Sequence, residues 1–192
     1  MVSATPTGRD ALLERAIGHF AAHGIGDTSL RALAEAIGTS HRMLIYHFGS
    51  RDGLLAAVVD TVEQGARDTL TRMAEHAGTD PDPFAAGMRY WHLVTEDALV
   101  YGPLFFELTS HAMLGLPYAV ELRERMVTTW LDALTSMWTT RGVPGPEARA
   151  QASLDLAVAR GLLHDLLLTG DRERVDAAMR RYSRSVVDRM LG

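Results

Sequence analysis

Apolar residues recur at three- and four-residue steps along almost the whole chain, and short glycine- and proline-bearing breaks separate the runs. That spacing predicts helices, and no stretch reads as a convincing strand or repeat. The breaks fall at Gly24-Ile25-Gly26, Gly49-Ser50, Gly78 to Pro81, Leu116-Pro117, Gly142 to Pro146 and Gly170-Asp171. The first run, residues 9 to 23, places Leu13, Ile17, Phe20 and Ala21 on one stripe that can brace the next two helices from behind. A run from Arg51 to about His76 continues with almost no loop, which predicts a long linking helix. Further helices are expected near 83 to 98, 102 to 114, 117 to 141, 147 to 169 and 171 to 191.

Residues 28 to 55, TSLRALAEAIGTSHRMLIYHFGSRDGLL, hold two short helical patterns around a Gly-Thr-Ser break, the sequence form of a helix-turn-helix. Leu30, Leu33, Ala34 and Ile37 share a face, Gly38 suits the left-handed end of that helix, and Ser40 can cap the next. In the second helix Leu44, Ile45 and Phe48 are expected to pack inward. His41, Arg42, Tyr46 and His47 are expected to project outward, a set suited to a major groove.

Charge changes this picture only locally. The 192-residue chain is acidic, with a formal net charge of -5 and a pI near 5.9, which excludes a uniformly basic DNA-coating protein. From residue 36 to 51 there is no acid at all, only Arg42 and Arg51 with His41 and His47, so positive potential gathers on the expected reading helix. Lysine is absent, so every cationic contact must come from arginine, whose planar fork can grip a phosphate or a guanine edge in two places. Cysteine is absent too, which removes disulfides and thiol nucleophiles. Neither a glycine-rich phosphate loop nor Gly-x-Ser-x-Gly occurs, so the sequence offers no reading as an enzyme. Residues 1 to 10 lack the apolar centre of a signal peptide, and no apolar run approaches the ~18 residues of a membrane span, so a cytoplasmic location is expected.

Over residues 10 to 55 the chain resembles the DNA-binding head of the TetR family of bacterial transcriptional regulators. The resemblance rests on Ser29, the Ala34-to-Ser40 turn, the Leu44-to-Phe48 run and Arg51 opening the linking helix. It departs from the family pattern where Ile45 stands in place of the usual tyrosine, with Tyr46 next, and where Arg42 replaces a small residue. The resemblance implies an all-α protein, with a helix-turn-helix domain over 1–55 and a ligand-binding and dimerisation domain over 56–192. Base readers are expected to be His41, Arg42, Met43 and His47. Ser29, Ser40, Tyr46 and Arg51 are expected on the DNA backbone, with Arg31 and Thr39 as further contacts. The alternative for Tyr46 and His47 is simple packing against the preceding helix.

In the body, Met88, Trp91, His92, Tyr101, Phe105, Phe106, Glu107, His111, Trp130 and Trp138 have the composition of a mostly apolar cavity with a few polar anchors. Core packing explains the same residues equally well one at a time, and the family resemblance favours a pocket. His92 with Glu96, and Glu107 with His111, have the four-residue spacing of metal ligands, but zinc needs a third or fourth ligand and Asp97 alone stands nearby in sequence; neither a metal nor a cofactor is expected. The run from 147 to 169 is apolar almost all round, so it should be buried on two sides, by the body and by a partner. With the last run it implies, through the resemblance, a homodimer interface of Leu154, Val158, Gly161, Leu162, Leu166, Met179, Tyr182 and Val186.

The expected partners are a double-stranded operator with an inverted repeat, a small apolar effector and a second copy of the chain. Control without an effector is the alternative, and a helical ligand-binding protein that does not use DNA is a distant third.

Overall fold

The computed structural model describes residues 8–77 and 82–191, with the side chains of 66, 73–77, 123 and 124 left aside. Among these residues the regular secondary structure is helical throughout: α1 Gly8–His23, α2 Leu30–Ala36, α3 His41–Phe48, α4 Arg51–Ala77, α5 Pro83–Met113, α6 Val120–Thr140, α7 Gly145–Thr169 and α8 Arg172–Leu191. The break expected at Gly78 to Pro81 lies outside the described residues.

Two boundaries differ from the periodicity. The separate helices expected near 83 to 98 and 102 to 114 are one, α5, which runs through Pro103. A proline inside a helix loses one amide donor and crowds the preceding turn, which usually ends the helix. Here the Pro103 ring lies on the exposed side, where that turn can open towards solvent. Gly102 beside it faces inward, and a Cβ there would come within 2.6 Å of Leu167 Cδ1, so glycine lets α5 and α7 approach closely. The helix expected from 117 begins instead as a 3₁₀ turn, Pro117–Ala119, before α6, because proline fits a first turn and no side chain caps it.

The chain forms two compact units, Met1–Gln64 with Pro103–Arg123, and Gly65–Gly102 with Glu124–Gly192, so the first takes residues from both sides of position 55. In the first, the apolar stripes of α1 to α4 make a core that includes Leu12, Phe20, Leu33, Leu44, Leu54 and Val58, each buried as the periodicity requires. In the second, Leu70, Leu134, Ala152 and Leu156 pack together, with Tyr90, Trp130 and Met137 around them. Among the described residues no helix is long and apolar enough to cross a membrane.

Candidate nucleic-acid interface and body residues

The reading helix α3 is set by local chemistry at both ends. The Ser40 Oγ accepts from the Met43 amide at 3.2 Å, and Gly49, at φ +76, ends the helix by donating to the Ile45 carbonyl. Upstream, the Ser29 Oγ accepts from the Ala32 amide at 3.2 Å. Gly38 turns at φ +67, so that the Thr39 amide reaches the Ala34 carbonyl at 2.8 Å. Arg15 donates to the Ile37 carbonyl at 3.0 Å and ties α1 to the end of α2. The guanidinium of Arg9 lies over the Phe48 ring, 5.2 Å from its centroid.

This scaffold buries Leu44 and Phe48 and leaves His41, Arg42, Met43 and Tyr46 exposed, Tyr46 at 78%. Ile45 corrects the inward set: it is 39% exposed, because an eight-residue helix lying on α2 buries the line through 44 and 48, and position 45 is turned about a quarter of the way round from it. His47 is half-buried with its ring edge-on to Tyr46 at 4.9 Å, so it is the least available of the expected base readers. Ser29, Arg31 and Ser40 are exposed and Thr39 is half-buried. Both serine oxygens accept as caps, and each hydroxyl keeps its hydrogen for a phosphate. Arg51 is already engaged: Nε donates to the Thr28 carbonyl at 3.0 Å and Nη2 to the Gly26 carbonyl at 2.6 Å. A phosphate contact from Arg51 has Nη1 left to use.

The aromatic body set divides between the two units. Met88, Trp91, His92, Tyr101, Trp130 and Trp138 belong to the second, and Phe105, Phe106, Glu107 and His111 to the first. Trp91 is buried and its indole N–H donates to Asp176 Oδ1 at 2.6 Å. The other oxygen of Asp176 accepts from Arg172 Nε at 3.2 Å, and Arg172 also binds Glu96 at 3.0 Å and lies 3.4 Å from His92 Nδ1. Trp138 donates to Asp155 Oδ2 at 2.7 Å. Met88 is buried, Trp130 packs against Tyr90, and Tyr101 is half-exposed.

Phe105 and Phe106 meet edge to face at 5.3 Å. Glu107 accepts from the amides of Ile25 and Gly26, and His111 Nδ1 pairs with the Tyr118 hydroxyl at 2.8 Å. Arg160, half-buried on α7, donates to the Met126 carbonyl at 2.7 Å, and burial lowers its pKa. Burial holds the Tyr90 hydroxyl far above its ordinary range. Among the described residues no group of three histidine or carboxylate side chains is arranged to hold a metal.

The partners Asp155, Asp176, Arg172 and Tyr118 leave no signal in the sequence. Trp91 and Asp176, for example, stand 85 residues apart, with no local pattern to join them.

In the expected interface, α7 and α8 divide by face. Leu166, Met179 and Val186 point into the protomer's own core, Leu166 with 1% exposure. Leu154 and Gly161 are exposed, and Val158, Leu162 and Tyr182 are half-buried. Among apolar side chains of α7, the exposed line continues to Leu168, beyond the set that the sequence pattern singles out.

Residues 12–58 match the family model for bacterial regulatory proteins of the tetR family. Over 190 residues the chain is 31% identical to the HTH-type transcriptional regulatory protein RaaS of Mycobacterium tuberculosis, covering 97% of this chain and 84% of that protein. The fold is similar to a TetR transcriptional regulator from Legionella pneumophila, with a TM-score of 0.77, 16% identity, and coverage of 96% and 99% of the two chains. A transcriptional regulator from Saccharomonospora viridis, solved in complex with choline, is similar in fold with a TM-score of 0.74, 22% identity, and coverage of 94% and 95%.

Proposed function

Because the chain belongs to the TetR family of bacterial transcriptional regulators, we propose that it acts as a homodimeric repressor on an inverted-repeat operator, released when a small, largely apolar effector binds. The observation that carries the DNA half is α3, capped at Ser40 and presenting His41, Arg42, Met43 and Tyr46 from a stretch without acids. His41, Arg42, Met43 and His47 read base edges. Ser29, Arg31, Thr39, Ser40, Tyr46 and Arg51 hold phosphates and fix register. Two copies place their reading helices in successive major grooves, so half-sites are centred ~34–36 Å apart or a multiple of that. The effector acts through its different affinity for the DNA-competent and released states, without covalent chemistry.

Selection of sites from random DNA by the full chain, followed by mobility shift, tests this reading. An inverted repeat is the expected product, with an affinity that falls steeply as salt rises. Arg42→Ala should relax preference at one base pair, at a cost of ~1–3 kcal/mol there. Unchanged base preference in that variant removes Arg42 from the reading set.

A second reading, control by abundance or a protein partner without an effector, is favoured by one specific feature. The polar handles of Trp91, Trp138 and Glu107 are already satisfied within the chain. A panel of apolar compounds separates the two, since an effector must both raise the melting temperature and release the operator.

A further inference from the structure

The segment from Gly24 to Ser29 carries the chain from α1 into α2, and two side chains from distant positions hold its backbone. Glu107 faces two successive amides: Oε2 accepts from Ile25 at 2.8 Å and Oε1 from Gly26 at 3.0 Å. Arg51 takes the carbonyls, donating to Thr28 and Gly26. The peptide groups around Gly26 are therefore gripped by an anion on the amide side and a cation on the carbonyl side. Bonds to ionised groups are about twice as strong as neutral ones. Gly24 adopts φ +77, and a Cβ there would stand 3.3 Å from Glu107 Oε2, so the approach is close. Ile25 is fully buried. One turn beyond Glu107, His111 Nε2 lies 4.0 Å from Oε1, while its Nδ1 meets the Tyr118 hydroxyl at 2.8 Å. All of these residues belong to the first compact unit.

Connecting loops are ordinarily the mobile part of a fold. This one leads directly into the Ser29 cap of α2, and α2 packs on α3. Base-edge hydrogen bonds tolerate little displacement, so the set of the loop determines whether His41 and Arg42 arrive in register. We infer that Glu107 is a positioning residue for DNA reading: its carboxylate fixes the loop amides and through them the α2–α3 pair, without touching DNA. This assignment rests on the proposed DNA-binding function.

The test compares full-length wild type, Glu107→Gln and Glu107→Ala on the selected operator, at a temperature where circular dichroism shows each variant folded. Hydrogen exchange at the Ile25 and Gly26 amides should quicken at least tenfold in the alanine variant. Operator affinity should fall about tenfold, and affinity for random-sequence DNA should stay within about twofold, because that term depends on phosphate charge. Glutamine retains one acceptor and opposes the second amide with its own N–H group, so it should fall between. If the alanine variant does not fold, the glutamine variant decides the question.

A purely structural carboxylate would lower melting temperature but leave the folded protein's operator affinity alone. Equal operator affinity in all three proteins overturns the inference, as does unchanged amide exchange. Failure of the wild type to select any operator overturns the DNA-binding reading and this inference with it.

Discussion

Gly161→Glu should leave the protomer folded, convert the protein to monomers, and lower operator affinity about a thousandfold, the scale of avidity that two linked half-sites provide. Gly161 lies on an exposed line of α7 that runs through Leu154, Ala157, His164 and Leu168, with Val158 and Leu162 half-buried along its edge. Leu154 is 52% exposed and Leu168 72%, and a largely apolar line of this kind marks a surface that another molecule covers. The glycine points the same way. A Cβ at 161 would meet nothing within 4 Å, so the protomer's own packing does not require glycine there. In a helix interior glycine costs ~1 kcal/mol relative to alanine, and close approach by a second copy's helix, as proposed, would account for its presence.

A two-fold interface brings each substitution in twice, and the two carboxylates would be left unpaired against apolar surface. Sedimentation at micromolar concentration and operator titration read the outcome. A dimeric Gly161→Glu protein would overturn the assignment of this face. Leu166→Ala serves as the contrast: the side chain is buried in its own protomer, so the change should cost ~2–5 kcal/mol of stability rather than the dimer.

That contrast shows where sequence reading stops. The helix-turn-helix was legible because every signal in it is local: a serine cap at each helix, Gly38 at the turn, and apolar positions four apart. Ile45 was not, because apolar identity alone does not say which side of a two-turn helix faces its neighbour. The same ambiguity, on a larger scale, affects α7. Its leucines occur nearly all round, and only packing within the protomer separates the inward Leu163 and Leu166 from the outward Leu154 and Leu168. The gap expected between 98 and 102 is not a break, because the helical pattern on either side carries α5 through it and through Pro103. Glu107 was legible as a polar residue among aromatics. Its partners at Ile25 and Gly26 were not, because 82 and 81 residues of chain separate them and a backbone amide leaves no mark in composition.

Asp155→Ala should destabilise the second unit by ~2–4 kcal/mol, the cost of leaving several half-buried donors without an acceptor. Asp155 is half-buried on α7 and joins three helices. Oδ2 accepts from the Trp138 indole on α6 at 2.7 Å, and Oδ1 accepts both from Gln151 Nε2 and from the Tyr182 hydroxyl on α8, each at 2.8 Å. Gln151 is 3% exposed and also donates to the Tyr182 oxygen at 2.9 Å, while its own carbonyl accepts from Arg189 at 2.5 Å. Burial, and secondarily the Asp155 charge, push the Tyr182 pKa well above its ordinary value, so the hydroxyl stays a donor to the carboxylate throughout the neutral range. Removing the carboxylate strands the indole and the phenol and leaves the Gln151 amide only its bond to the Tyr182 oxygen, and the losses do not add independently because the groups share one acceptor. Asp155→Asn should cost less, because it keeps one oxygen, yet it sets an N–H group against one of the donors. Urea unfolding followed by tryptophan fluorescence measures both variants, and a loss below ~1 kcal/mol for alanine would show that water replaces the carboxylate without penalty. The same comparison bears on effector binding: if Trp138 serves as a ligand wall, its orientation depends on Asp155, so the asparagine variant should weaken any effector response while operator affinity without ligand is kept.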